Sequence, residues 1–190
     1  ASDNWPQPPI VCHHGVHGLT PAPSKERCGL VLVGTQRPVK RAEEAARALA
    51  GLPLAIIGAR DEELARVGEE TGVEICGRQP FRQTVWRMRR AKAIVCNSVA
   101  EGFYMPSAEA ALSGVPTIAR PLPVFKELWG DLPWYFESDE ELRAIASRVL
   151  EGKDGSYAMR AEGMRKRALD LELTIDGLAN RLVRIVESCR

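Results

Sequence analysis

A doubly wound, parallel α/β sheet with helices on both faces and a helical C-terminus is the fold this sequence predicts. Three observations carry it. Short apolar runs recur between residues 29 and 119, each bounded by glycine, proline or polar residues, which is the signature of buried strands. Between them lie segments with Ala, Leu and Val at helical spacing and charges at the other positions. From residue 138 onward the helical patterning is uninterrupted.

The first run is Gly29-Leu30-Val31-Leu32-Val33-Gly34, and residues 39–50 make the first helix. A strand follows at 54–57, a helix at 61–70, a strand at 73–76, a helix at 82–91, a strand at 93–96, a helix at 107–113 and a strand at 115–119. Trp134, Tyr135 and Phe136 form a last strand. Asp139, Glu140 and Glu141 then place negative charge in the first turn of a helix, where the macrodipole favours it, and residues 175–187 make a final amphipathic helix. Strands of this kind alternating with helices imply a Rossmann-like sheet covered on both sides. The chain divides into an extended, linker-like lead-in at 1–24 and one domain at 25–190.

Composition excludes several classes of function. The 190 residues are 45% apolar and 27% charged, ordinary for a globular protein, and 26 Lys and Arg against 25 Asp and Glu give a net charge of +1. No whole-chain field points to nucleic acid. Cysteines 12, 28, 76, 96 and 189 are odd in number, scattered and without a C-x-x-C pair, which suits a reduced, cytoplasmic setting. No apolar run approaches the ~20 residues that span a bilayer. There is no G-x-G pair, no G-x-x-x-x-G-K-[ST] and no D-x-D, so a nicotinamide dehydrogenase, a P-loop NTPase and a carboxylate-held Mg²⁺ are not expected.

Ligands of a doubly wound sheet bind beyond the carboxyl ends of its strands. The most informative loop there is residues 97–111, reading N-S-V-A-E-G-F-Y-M-P-S-A-E-A-A. Gly102 allows close approach to a ligand, and Pro106 suits a first helical turn, where its missing N–H costs little. Such a helix start attracts phosphate. Glu101 and Glu109, one on the loop and one a turn into the helix, can face one pocket, and ionised carboxylates suit sugar hydroxyls.

Glu101 to Glu109, with Gly102-Phe103 after the first and Ala110-Ala111 after the second, resembles the E-x7-E signature of retaining nucleotide-sugar glycosyltransferases of the GT-B fold, the group that includes the glycogen-synthase relatives. Gly34 with Lys40 is similar to that family's first-strand loop, and Ser113-Gly114-Val115-Pro116-Thr117-Ile118 to its A-x-G-x-P-V-V segment. The landmarks run in order over roughly residues 10–190. The resemblance implies the C-terminal, donor-binding half of a two-domain enzyme that transfers a hexose to a lipid, polysaccharide or protein acceptor. The N-terminal acceptor domain would be missing, and this chain alone would turn over weakly or not at all.

The implied site follows residue by residue. Glu109 would hold the nucleotide ribose and Glu101 would lie near the transferred sugar. N–H groups from Tyr104 to Ser107, with Gly102, Phe103, Met105 and Pro106 shaping the loop, would cap phosphate or sugar oxygens. Lys40 would neutralise the leaving diphosphate beside Gly34; Glu101 and Lys40 are the catalytic pair. Thr35 stands where the family usually has Arg, with Arg37 or Arg41 as the substitute, and Arg78 falls in the region that contacts the base. No cofactor or metal is expected, the nucleotide-sugar being the substrate. A non-catalytic nucleotide- or glycan-binding module of the same fold is the alternative, which Thr35 favours.

Two further features carry weight. Val11-Cys12-His13-His14-Gly15-Val16-His17 holds all three histidines beside a cysteine, a ligand set zinc prefers, so a zinc site is one reading. The resemblance places the same segment on the interdomain linker, with Gly15 as its turn glycine. Residues 78–92 carry six basic residues and no acidic one, suited to anionic lipid headgroups at a cytoplasmic membrane surface. Trp86 and Met88 within them are expected in the core or a cleft wall.

Overall fold

The protein is described by a computed structural model covering residues 12–17, 20–21, 23–35, 38–58 and 60–188. A short 3₁₀ turn, Ser24–Glu26, leads into β1 (Leu30–Val33), followed by α1 (Ala42–Ala48), β2 (Leu54–Ile57), α2 (Glu62–Thr71), β3 (Glu74–Gly77), α3 (Phe81–Arg90) and β4 (Ala93–Cys96). The chain continues through α4 (Met105–Leu112), β5 (Thr117–Ala119), α5 (Pro123–Trp129), β6 (Trp134–Tyr135), α6 (Asp139–Glu151), α7 (Tyr157–Asp170) and α8 (Ile175–Ser188). All strand pairs are parallel, in the order β3-β2-β1-β4-β5-β6. The chain therefore winds outward from β1 to β3, returns, and winds outward again from β4. The switch point lies between β1 and β4, where two neighbouring crossovers leave in opposite directions and open a crevice.

Alternation along the strands fills two cores. Leu30, Leu32, Leu54, Ile56, Ala93, Val95 and Ile118 face the layer of α1, α2 and α6. Val31, Ala55, Ile57, Ile94, Cys96 and Ala119 face α3, α4, α5 and α7. Strands β2 and β4 are buried at every position, as expected of central strands, whereas β3 is an edge and exposes Glu74. Helix ends follow local chemistry. The Asp61 carboxylate accepts the Leu64 N–H at 2.9 Å and opens α2, Ser138 caps α6 through the Glu141 N–H, and Gly72 and Gly152 close these helices in the left-handed region.

Helix α4 begins at Met105 and not near residue 107, and β5 at Thr117 and not at 115; two further departures have a clear cause. Helix α5 was not expected: it is seven residues long and begins at a proline. Pro123 occupies the first helical turn, and the helix is held by burial of Phe125, Leu128 and Trp129, each at most 1% exposed. Helix α1 begins at Ala42 and not near residue 39, because Arg41 is left-handed, at φ 49°.

Candidate functional site

The crevice is built from the loop after β1 and the loop after β4. Gly34 sits at φ 104°, a conformation that excludes most side chains, and its N–H donates to the Ile57 carbonyl at 2.7 Å, which turns the chain away from β1. A Cβ on Gly34 would stand 3.3 Å from the Lys40 Cε, so the lysine stem runs across the glycine. The Lys40 Nζ ends 2.5 Å from the Glu101 Oε1, with the two side chains 17% and 9% exposed. Residues 61 apart in sequence thus form one ion pair at the switch point.

Other groups hold this pair. The Ser98 hydroxyl, buried, donates to the same Glu101 oxygen at 2.6 Å, and the Cys96 Sγ lies 3.4 Å from the Ser98 Oγ. Burial pushes the Cys96 thiol up to about 11, so it stays a neutral member of the group. Lys40 also stands over the Tyr104 ring, 4.8 Å from its centre. Tyr104 caps α4 at φ 61°, unusual for a bulky residue, and is 5% exposed. Its hydroxyl is 3.2 Å from the Val33 carbonyl and 3.4 Å from the Val95 carbonyl, at the ends of β1 and β4. Phe125 of α5 meets the ring edge-on at 6.0 Å. Burial, first, and the nearby Cys96, Glu101 and Glu109 hold the Tyr104 phenol well above its ordinary value.

Glu109 lies a turn into α4 and is 7% exposed. Among the described residues no hydrogen-bond or ion-pair partner engages its carboxylate, and burial alone raises it to about 7. Its oxygens are not among the buried side-chain atoms left without a partner, so the carboxylate is poorly hydrated but still reaches solvent. Pro106 falls within the first turn of α4 and the Ser107 N–H already donates to the Tyr104 carbonyl, so the Tyr104 and Met105 amides are the ones that turn can offer an anion.

No family model matches the chain. Over 62 residues it is 44% identical to the serotype-specific mannosyltransferase WbdA of Escherichia coli, a match covering 33% of this chain and 8% of that protein. Anabaena HepE in complex with UDP and glucose superposes with a TM-score of 0.76 at 18% identity, over 94% of this chain and 56% of HepE. The lipopolysaccharide outer core galactosyltransferase WaaB superposes at 0.67 with 20% identity, over 94% of this chain and 56% of that one. Sucrose-phosphate synthase from Thermosynechococcus elongatus gives 0.73 at 18% identity, over 93% and 51%. The fold is that of a GT-B glycosyltransferase domain. The chain spans about half the length of these solved glycosyltransferase structures.

On this glycosyltransferase fold the other expected site residues are dispersed. Gly102 is exposed and a Cβ there would meet nothing within 4 Å, so the chain itself leaves that space open. Met105 is 51% exposed beside it. Arg78 is exposed on the loop beyond β3, at the far edge of the sheet, and makes no contact with the Lys40 and Glu101 pair. Arg37 lies outside the described residues. Arg41, its alternative, pairs with Glu44 of its own helix at 3.3 Å. Thr35 packs against Gly58, where a Cβ would come within 2.8 Å of the Thr35 Oγ1 and Cγ2. Gly58→Ala is therefore expected to displace the Thr35 loop and cost about 1–3 kcal/mol, seen as a lower melting temperature; an unchanged one would contradict the packing.

The histidines are divided between two rings. His13 and His14 stand against Phe103, with ring centres 6.3 and 5.3 Å away, and His17 against Phe81 at 5.0 Å. Among the described residues no three His, Cys, Asp or Glu side chains gather as a metal-ligand set. Met88 is fully buried, but Trp86 is 58% exposed and not in the core, with Arg90 stacked on it at 5.0 Å. A cavity of about 240 Å³ beneath Trp86 is lined by the starts of β1 and β2, at the opposite end of the sheet from the crevice. No helix among the described residues is long and apolar enough to cross a membrane. Ser98, which donates to Glu101, and Asn97 and Arg120, which link the loops after β4 and β1, are residues to which no signal in the sequence points.

Proposed function

We propose that this chain is the donor-binding part of a retaining glycosyltransferase that moves a hexose from a nucleoside diphosphate to a lipid, polysaccharide or protein acceptor. The observation that carries it is the Lys40–Glu101 pair at the switch point, with Glu109 buried in the helix that follows the same loop. UDP, glucose and UDP-glucose occupy HepE in its solved complexes, which supports a nucleotide-sugar as the ligand. Glu109 accepts the ribose hydroxyls, and Lys40 moves from Glu101 to the diphosphate as the donor enters. Glu101, still held by Ser98, then has an oxygen free for a sugar hydroxyl. As the glycosidic bond breaks, charge grows on the diphosphate, and a preorganised ammonium in a crevice of low polarity stabilises it. No metal takes part, so a chelator leaves binding unchanged. The acceptor side belongs to a further domain of a longer protein, and Arg82, Trp86, Arg89 and Arg90 on α3 suit a cytoplasmic membrane surface.

Calorimetric titration with UDP-, GDP- and ADP-sugars tests the reading: one class binds, and absence of binding by all three at millimolar concentration refutes it. A second reading, a binding module without transfer, is favoured by Thr35, which packs on Gly58 and brings no cation to the diphosphate position. Transfer by a longer form that contains this chain would exclude it.

A further inference from the structure

We propose that Asn97 and Arg120 are positioning residues that hold Lys40 at the crevice, an inference that rests on Lys40 meeting the donor diphosphate. Arg41, directly after Lys40, is left-handed at φ 49° and ψ 46°, which a residue with a Cβ adopts only when its surroundings impose it. The Asn97 Nδ2 donates to the Arg41 carbonyl at 3.1 Å and imposes it. Asn97 is 1% exposed, and its Oδ1 accepts from the Arg120 Nε at 2.9 Å. A donor is required on one side and an acceptor on the other, and an amide in this orientation supplies both.

Arg120 is itself anchored. Its Nη1 donates to the Glu137 carbonyl at 2.9 Å, its Nη2 lies 3.7 Å from Asp139, and its guanidinium covers Phe136 at 5.0 Å. Its backbone N–H donates to the Cys96 carbonyl at 3.2 Å. Arg120 thus joins the β6–α6 turn, the end of β5 and the loop after β4, and Asn97 extends the connection to the loop after β1. On the other side of Lys40, the Val99 N–H donates to the Val39 carbonyl at 3.0 Å. Both backbone neighbours of Lys40 are therefore fixed by the loop that carries Glu101. A lysine stem has many rotamers, and a fixed backbone is what aims its ammonium.

The test is a double-mutant cycle. Asn97→Asp keeps the size of the side chain and its contact with Arg120 but turns an acceptor toward the Arg41 carbonyl. UDP, GDP and ADP are titrated beside uridine, guanosine and adenosine, in the wild-type and Lys40→Ala backgrounds. Asn97→Asp is expected to weaken the diphosphate that binds roughly tenfold, to leave its nucleoside unchanged, and to add nothing in the Lys40→Ala background. Equal weakening in both backgrounds, or an equal loss for the nucleoside, would overturn the inference. Arg120→Lys, which keeps the charge and loses the planar fork, is expected to give the same pattern and replaces Asn97→Asp if that variant does not fold. If the wild type binds no diphosphate, the proposed function fails and this inference with it. If the wild type binds and the cycle shows no coupling, the inference alone fails.

Discussion

Glu109→Gln is expected to make the protein more stable at pH 8 while depriving it of nucleotide affinity. Burial raises the Glu109 carboxyl from 4.5 to about 7, so the folded chain keeps a proton that the unfolded chain has already released at pH 5. A raised value means that its favourable contribution is complete below pH 4.5 and is lost as pH climbs through 7. Above that point the folded protein holds a poorly hydrated, ionised carboxylate, which lowers its stability by on the order of 1–3 kcal/mol. Glutamine resembles the protonated form, so the variant should melt higher than wild type at pH 8 and at the same temperature near pH 4. Nucleotide affinity should fall steeply in the variant, and in the wild type it should fall as pH drops below 7, because only the ionised form offers two acceptors to the ribose diol. Binding near pH 7 should also release a proton, which calorimetry in buffers of different ionisation enthalpy detects. A melting temperature that is the same for both proteins at pH 8 would refute the account of Glu109.

Lys40→Ala is expected to lose both stability and diphosphate affinity, and a second substitution should separate the two. Removing the ammonium leaves Glu101, 9% exposed, with Ser98 as its remaining close donor, a loss of roughly 3 kcal/mol for breaking a buried pair. Glu101→Gln in the same chain removes the uncompensated charge and should restore most of the melting temperature. It should restore none of the diphosphate affinity, since the cation is still absent. A double variant that regains affinity would show that Lys40 acts only by neutralising Glu101. A single variant that melts like wild type would show that the pair contributes nothing to the fold.

Two interior strands, β2 and β4, were the most legible part of this sequence. Strands Leu54–Ile57 and Ala93–Cys96 match their expected bounds because a strand buried on both faces has no polar position to blur its ends. Helix α5 was not legible, since seven residues begun by proline make no periodic signal and tertiary burial of Trp129 and Phe125 decides the matter. The left-handed start of α1 escaped for a similar reason: arginine gives no warning of positive φ, and the Asn97 contact that imposes it comes from 56 residues away. The loop 97–111 could be picked out as the candidate site from its glycine, proline and glutamates alone. That Lys40 reaches Glu101, and that Phe103 faces the histidines, needed the two loops in space.

The segment of residues 12–17 is fastened unequally at its two ends. Val16 is 3% exposed, its N–H donates to the Leu173 carbonyl at 2.9 Å, and its carbonyl accepts the Ile175 N–H at 3.1 Å. Gly15 lies so close to Thr174 and Leu178 that no side chain fits there, and the Arg181 Nη2 donates to the His13 carbonyl at 2.6 Å. Where His13 and His14 meet Phe103 the contact is ring against ring, worth about 0.5–1.5 kcal/mol, and the Arg181 bond to the His13 carbonyl adds to it. A shift of this segment would therefore bear on Phe103, two residues from Glu101, as well as on Val16 and the turn before α8.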